Sequence, residues 1–208
     1  MNVNRFKLCL SIIAFGSMLS TGLQAQGNYY LKTVVASVSG TSSLHSWESE
    51  VSQIKWKGNF LLSGKKLKAI KNGEIKILVK GIKSKEGKIM DKKTYEAFDS
   101  DKNPYIIYAF STADIKVDSL QNVTAVTEGN LTMAGNSKAI NLSGKGKMLA
   151  NGDLQLTVSR KLKMTDFKME PPRAVLGTIK VGDEITVKFD IVFTRNKALQ
   201  LKQTSIKL

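Results

Sequence analysis

Cysteine and histidine are almost missing from this 208-residue chain, which has one of each, Cys9 and His45. One cysteine excludes an intrachain disulfide framework. One histidine, with no cysteine beyond Cys9, excludes the usual zinc ligand sets. Asp99-Ser-Asp101 lacks the Gly and distal Glu of a calcium loop, so no metal is expected there. A nucleophilic triad has a single available base, His45, and no Gly-x-Ser-x-Gly elbow follows the first 25 residues. Neither an enzyme nor a cofactor is therefore expected. Acid is scarce too: 17 Asp and Glu face 32 Lys and Arg, a formal net charge of +15. An apolar content of 42% excludes a disordered chain.

Long hydrophobic runs are also missing, apart from one at the start. Asn4-Arg5-Phe6-Lys7 is basic, Leu8 to Leu19 is apolar, and small and polar residues lead to Ala25. This is the three-part pattern of a secretory signal peptide. The apolar part is too short for a comfortable membrane span. Cleavage is expected after Ala25, which makes 1–25 a signal peptide and gives a periplasmic or secreted protein without cysteine. Cys9 sits inside the apolar run rather than at the cut, which argues against lipidation.

What remains alternates with period two. Ile75, Ile77 and Val79 share one face, opposed by Lys76 and Lys80. Leu154, Leu156 and Val158 alternate with Gln155, Thr157 and Ser159. Ile185, Val187, Phe189, Ile191 and Phe193 form the longest such stripe. Further strands are expected at Thr33–Val38, Ser43–Glu50, Ile54–Leu61, Ile106–Ser111, Val123–Met133 and Ile140–Lys147. Lys71-Asn72-Gly73, Asn151-Gly152-Asp153 and Val181-Gly182-Asp183 read as hairpin punctuation between them. Ile89, Met90, Lys93, Ala97 and Phe98 fall at helical spacing, so one short helix is expected over Ile89–Phe98. The expected fold class is all-β, with about eight antiparallel strands as one barrel or sandwich over 26–194. A basic tail, 195–208, follows it.

Several segments resemble the YceI-like family of lipid- or polyisoprenoid-binding proteins. They are Gly40-Thr-Ser-Ser-Leu-His-Ser-Trp-Glu48, Asn103-Pro-Tyr-Ile-Ile-Tyr-Ala-Phe110 behind the helix, and Gly129-Asn-Leu-Thr-Met-Ala-Gly135. Asp166-Phe-Lys-Met-Glu-Pro-Pro172 and Gly177-Thr-Ile-Lys-Val-Gly-Asp-Glu184 resemble its closing region. The resemblance runs from Tyr29 to Phe193 in the family's order. It implies a single antiparallel lipocalin-like β-barrel whose elongated interior holds an isoprenoid or similar long-chain lipid, such as a quinone or polyprenyl compound, for transport or sequestration.

The lining expected on this basis is Ile75, Ile77, Val79, Ile106, Tyr108, Phe110, Leu131, Met133, Leu156, Val158, Phe189, Ile191 and Phe193. His45 and Trp47 are added as contacts for a ligand head. The same stripes also suit a dry packed core, and periodicity alone does not separate the two.

Of the basic residues, 28 are Lys and 4 Arg. Arg5 and Lys7 leave with the signal peptide, which takes +15 to +13. Residues 55–93 hold 13 Lys and 3 acids, a net of +10. Arginine is scarce and aromatics do not alternate with the lysines, so nucleic acid is not expected as a partner. An anionic membrane surface or envelope polysaccharide, a phosphorylated ligand head and a plain solvated face all remain open.

Overall fold

The computed structural model describes residues 24–27, 29–64, 66–174 and 177–195; of 24–27 and 174 only the backbone is described. Of the expected signal peptide, 1–25, residues 1–23 lie outside the described residues, and of the expected tail, 195–208, residues 196–208 do.

The strands are β1 (Gln24–Gly27), β2 (Tyr30–Ser42), β3 (Ser46–Val51), β4 (Ile54–Ser63), β5 (Lys66–Leu78) and β6 (Ile82–Ser84). After helix α1 (Lys88–Phe98) come β7 (Tyr105–Val117), β8 (Asn122–Met133), β9 (Asn136–Met148), β10 (Leu154–Lys163), β11 (Arg173–Ala174) and β12 (Ile179–Thr194). All pairings are antiparallel, in the order β1-β4-β5-β7-β8-β9-β10-β12-β2-β3-β6.

Two pairs of these strands are single bent strands. Only Ser52 and Gln53 separate β3 from β4, and one 3₁₀ turn, Val79–Gly81, separates β5 from β6. Val51 faces Ile82 on one side of the bend and Ile54 faces Ile77 on the other. The Ser52 amide donates to Gly81 O at 3.0 Å, and the Leu78 amide to Gln53 O at 3.3 Å. Counted this way, about eight long strands form a circuit that returns to its start: a lipocalin-like barrel. The β2–β3 ladder stops at Ala36–Val51, and beyond it the ring of Tyr29 stacks on Phe60 with centroids 4.7 Å apart.

Two of the expected hairpin turns are bulges. Lys57 faces Glu74 and Asn59 faces Lys71, so Gly58 stands against both Asn72 and Gly73 within a continuous β5. Asn72 takes φ of 52° to allow it. Likewise β12 runs through Val181-Gly182-Asp183, with its register against β2 shifting between Val181 and Ile185. Asn151-Gly152-Asp153 does lie between strands, β9 and β10. The helix is close to its expected place. Its Asp99 cap is left-handed, and the Ser100 amide donates to Tyr95 O at 3.0 Å.

The inward faces make two cores. The first gathers Phe60, Leu62, Leu67, Ile70, Ile115, Val123, Leu154, Leu156, Ile191 and Phe193 at one end. The second gathers Val79, Ile82, Phe98, Tyr108, Leu131, Met133, Leu162, Met164, Phe167, Met169 and Ile185 at the other.

Candidate functional site

The first core is closed by aromatic rings. Phe60 packs on Phe193 at 5.1 Å between centroids, Phe193 on Trp56 at 5.2 Å, and Trp56 on Phe110 at 6.2 Å. Such tilted contacts add to the burial of large apolar surface. Phe110 then meets Tyr108 at 5.7 Å and packs against both cores. These rings form a floor across the barrel.

Above the floor lies a cavity of about 170 Å³ with an almost wholly apolar lining. Of the residues expected to line a site, the cavity gathers Ile75, Ile77, Ile106, Tyr108, Leu131, Met133, Val158, Phe189, Ile191 and Trp47. The strands bring Ile75 against Tyr108, Ile77 against Ile106, and Tyr108 against Leu131 across shared ladders. Leu156 instead packs in the first core, below the floor, and Phe193 is one of the rings that make the floor. Phe110 is part of the floor itself, where its ring lies directly over Gly73. Val79 is fully buried in the 3₁₀ turn rather than on a strand.

His45 does not reach the cavity. It lies in the bend before β3, exposed, with Nδ1 2.8 Å from Ser46 O. The strand expected over Ser43–Glu50 begins only at Ser46, because the Ser42 hydroxyl accepts from the Leu44 and His45 amides and shapes a turn. Trp47 follows on β3, with its indole over Gly40 and Nε1 donating to Thr41 O at 3.0 Å. A Cβ at position 40 would stand 2.7 Å from that ring. The Tyr108 hydroxyl lies 3.5 Å from Ile140 O, and burial raises its pKa, so it remains a donor at neutral pH.

Other elements complete the cavity. Met90, Thr94, Ala97 and Phe98 come from α1, which covers the end opposite the floor. Met164, Met169 and Pro172 come from the segment between β10 and β11, and Ile140 and Leu142 from β9. Met90, Met133, Met164 and Met169 therefore all face one space. Thioether chains re-pack readily, which lets such a space change shape around an apolar guest. Ile185 and Val187, on the expected β12 stripe, line it as well. The helix and the 164–172 segment carried no alternation to mark them.

The described lysines of residues 55–93 lie on outer surfaces, and several have acidic partners. Lys80 contacts Asp101 at 2.8 Å, Lys83 Asp91 at 3.4 Å, Lys85 Glu48 at 2.6 Å, and Lys93 Glu96 at 2.8 Å. Among the described residues no group of three or more His, Cys, Asp or Glu could hold a metal, and no helix is long and apolar enough to cross a membrane.

A YceI-like domain matches residues 30–193, most of the chain. The chain belongs to the YceI-like family. A search of curated protein sequences returns no match. Several solved structures share the fold at low identity. Burkholderia cenocepacia BcnA is 15% identical, with a TM-score of 0.58 over 77% of this chain and 96% of its own. A polyisoprenoid binding domain from Saccharophagus degradans, implicated in plant cell wall breakdown, is 9% identical, with a TM-score of 0.57 over 80% of this chain and 98% of its own. The Campylobacter jejuni YCEI protein is 18% identical, with a TM-score of 0.52 over 69% of this chain and 82% of its own. Family membership supports lipid binding in general terms.

Proposed function

We propose that this YceI-like protein is an exported, non-enzymatic carrier that holds an isoprenoid or similar long-chain lipid by its tail, for transport or sequestration. The cavity carries this reading. It is apolar almost throughout, floored by aromatic rings and covered by a helix rather than filled with side chains. A tail that withdraws about 200 Å² of apolar surface from water gains about 5 kcal/mol, which the cost of ordering the tail must not exceed. At about 170 Å³ the cavity as it stands matches a short apolar segment. A longer chain fits once the four methionines re-pack. The basic and apolar pattern of residues 1–25 supports export into a periplasm or medium.

The experiment is native mass spectrometry of protein purified from its own host, followed by solvent extraction. A recovered long-chain lipid near one per protein is the expected result. Repeated recovery of an empty barrel, which also fails to take up added prenols or fatty alcohols, would overturn the reading. A docking role for the Lys-rich face gains less support, since the residues named above place acids beside several of its lysines.

A further inference from the structure

The barrel wall has a window. The β9–β10 ladder runs only from Leu154–Met148 to Val158–Gly144. Past that rung β10 continues to Lys163 paired with β12 alone, while β9 keeps pairing with β8 back to Asn136. The far edge is closed by an ion pair, Lys138 on β9 with Asp166 beyond β10, at 2.7 Å. Inside this frame the inward stripes of both strands face the cavity, as Ile140 and Leu142 on one side and Val158 and Leu162 on the other.

Arg160 belongs to that inward stripe. Leu154, Leu156, Val158 and Leu162 share its parity, and Arg160 itself lines the cavity. Yet it is exposed where Leu156 and Leu162 are buried. Its cross-strand neighbour is Val187, also apolar. Among the described residues the Arg160 side chain has no ion pair or hydrogen bond. The contrast with Lys138 is direct. Both cations frame the same opening, and only Lys138 is neutralised.

A guanidinium at the rim of an apolar space discriminates between guests. An uncharged amphiphile whose head fills the window takes water away from an unpaired cation, at a cost. A carboxylate or phosphate head restores the lost hydrogen bonds with two parallel, charge-assisted ones. We infer that Arg160 is the head-group site of this cavity and that it selects single-chain amphiphiles with an anionic carboxylate or phosphate head. The tail lies in the cavity and the head in the β9–β10 window. This inference rests on the carrier reading above and adds the chemistry of the guest.

The test titrates purified, delipidated protein with two matched pairs of probes, oleate against oleyl alcohol and farnesyl phosphate against farnesol, in about 150 mM salt to screen the general positive field. The anionic member of at least one pair is expected to bind tenfold or more tightly than its alcohol, and the pair that shows it separates fatty-acid from prenyl-phosphate chemistry. Arg160→Gln is expected to bring anion and alcohol within about twofold, the anion losing most of its advantage while the alcohol, freed of the cost of desolvating the cation, binds no more weakly than before; Arg160→Lys keeps part of the preference, because an ammonium cannot engage both oxygens at once. The outward neighbour Lys163→Gln, of the same charge change, keeps all of it. Alcohols that bind as tightly as the anions, or a preference that survives Arg160→Gln, overturn the inference and leave the carrier reading standing. A folded protein that binds neither member of either pair overturns both.

Discussion

Lys32 reaches across the end of the barrel to Asp153, its Nζ 2.9 Å from Oδ2, joining β2 to the turn between β9 and β10. The Asp153 side chain is 4% exposed, and Asn151 Nδ2 donates to the same oxygen at 3.1 Å. Burial pushes this carboxyl's pKa up. Hydrogen bonds from Lys32, Thr194 and Asn151, with the Lys32 charge, more than offset that and hold it below the usual value of 3.8. A carboxyl depressed in the folded state stabilises fully above its unfolded pKa, and that contribution is lost as pH falls through the folded one. Asp153→Ala is expected to cost about 2 kcal/mol in urea unfolding at pH 7. Asp153→Asn is expected to lose less stability than the parent between pH 4 and pH 2. Parallel acid profiles for the two proteins would show that Asp153 is not the titrating group.

The floor predicts that inward-facing positions on its two sides behave as opposites. Leu156 packs below it and Ile106 lines the cavity above it. Leu156→Ala is expected to cost about 3 kcal/mol by leaving a hole in a filled core, with lipid retention unchanged. Ile106→Trp is expected to fill the cavity and abolish lipid retention, at about 1 kcal/mol because the added ring enters existing space. Native mass spectrometry with denaturant midpoints on the same samples reads both. Lipid lost from Leu156→Ala and kept by Ile106→Trp would place the guest elsewhere.

Period-two alternation told which side chains point inward but not how deep each lies. Leu156 and Val158 are adjacent on one stripe, yet one is packed below the floor and the other faces open space. What divides them is the ring of Trp56, Phe110 and Phe193, drawn together from three separate strands by ladder register. Punctuation misled for a related reason. Asn72-Gly73 supplies the positive φ that a hairpin needs, and a bulge inside β5 uses the same freedom. The true β8–β9 hairpin carries Ala134-Gly135 instead, with φ of 47° and 74°. Arg160 was hidden by its charge. A basic residue on an apolar stripe reads as an outward one until the ladder is seen to part beside it.

Tyr95 ties the covering helix to the barrel. Its hydroxyl donates to Lys80 O at 3.0 Å, lies 3.1 Å from Ile82 O, and accepts from Lys83 Nζ at 2.6 Å. Asp91 adds a second tie by accepting from the Ser84 amide at 2.7 Å. Tyr95→Phe is expected to cost about 1 kcal/mol and to loosen α1 in particular. Amide exchange should quicken over 88–98 and not in β8, and lipid release should quicken with it. Faster helix exchange with unchanged release would mean that the guest leaves by another route, and the β9–β10 window is the alternative.

Lys55 and Lys76 stand directly opposite each other on β4 and β5, so two like charges share one outer face. Lys76 Nζ sits 3.9 Å from the centroid of the Tyr105 ring, and Lys57 finds Glu74 at 3.5 Å. Lys55 has no such partner among the described residues, and facing cations disfavour a sheet pair. Lys55→Glu is expected to raise stability by about 0.5 kcal/mol at low ionic strength, and the gain should vanish in 1 M salt. The same variant bears on what the face is for. If this patch docks on anionic membranes, Lys55→Glu must weaken vesicle binding steeply at low salt, whereas a face that only keeps the protein solvated gives up nothing. Retention of a lipid tail lies behind the barrel wall and should be the same in both cases, so one substitution reads the surface and the cavity independently.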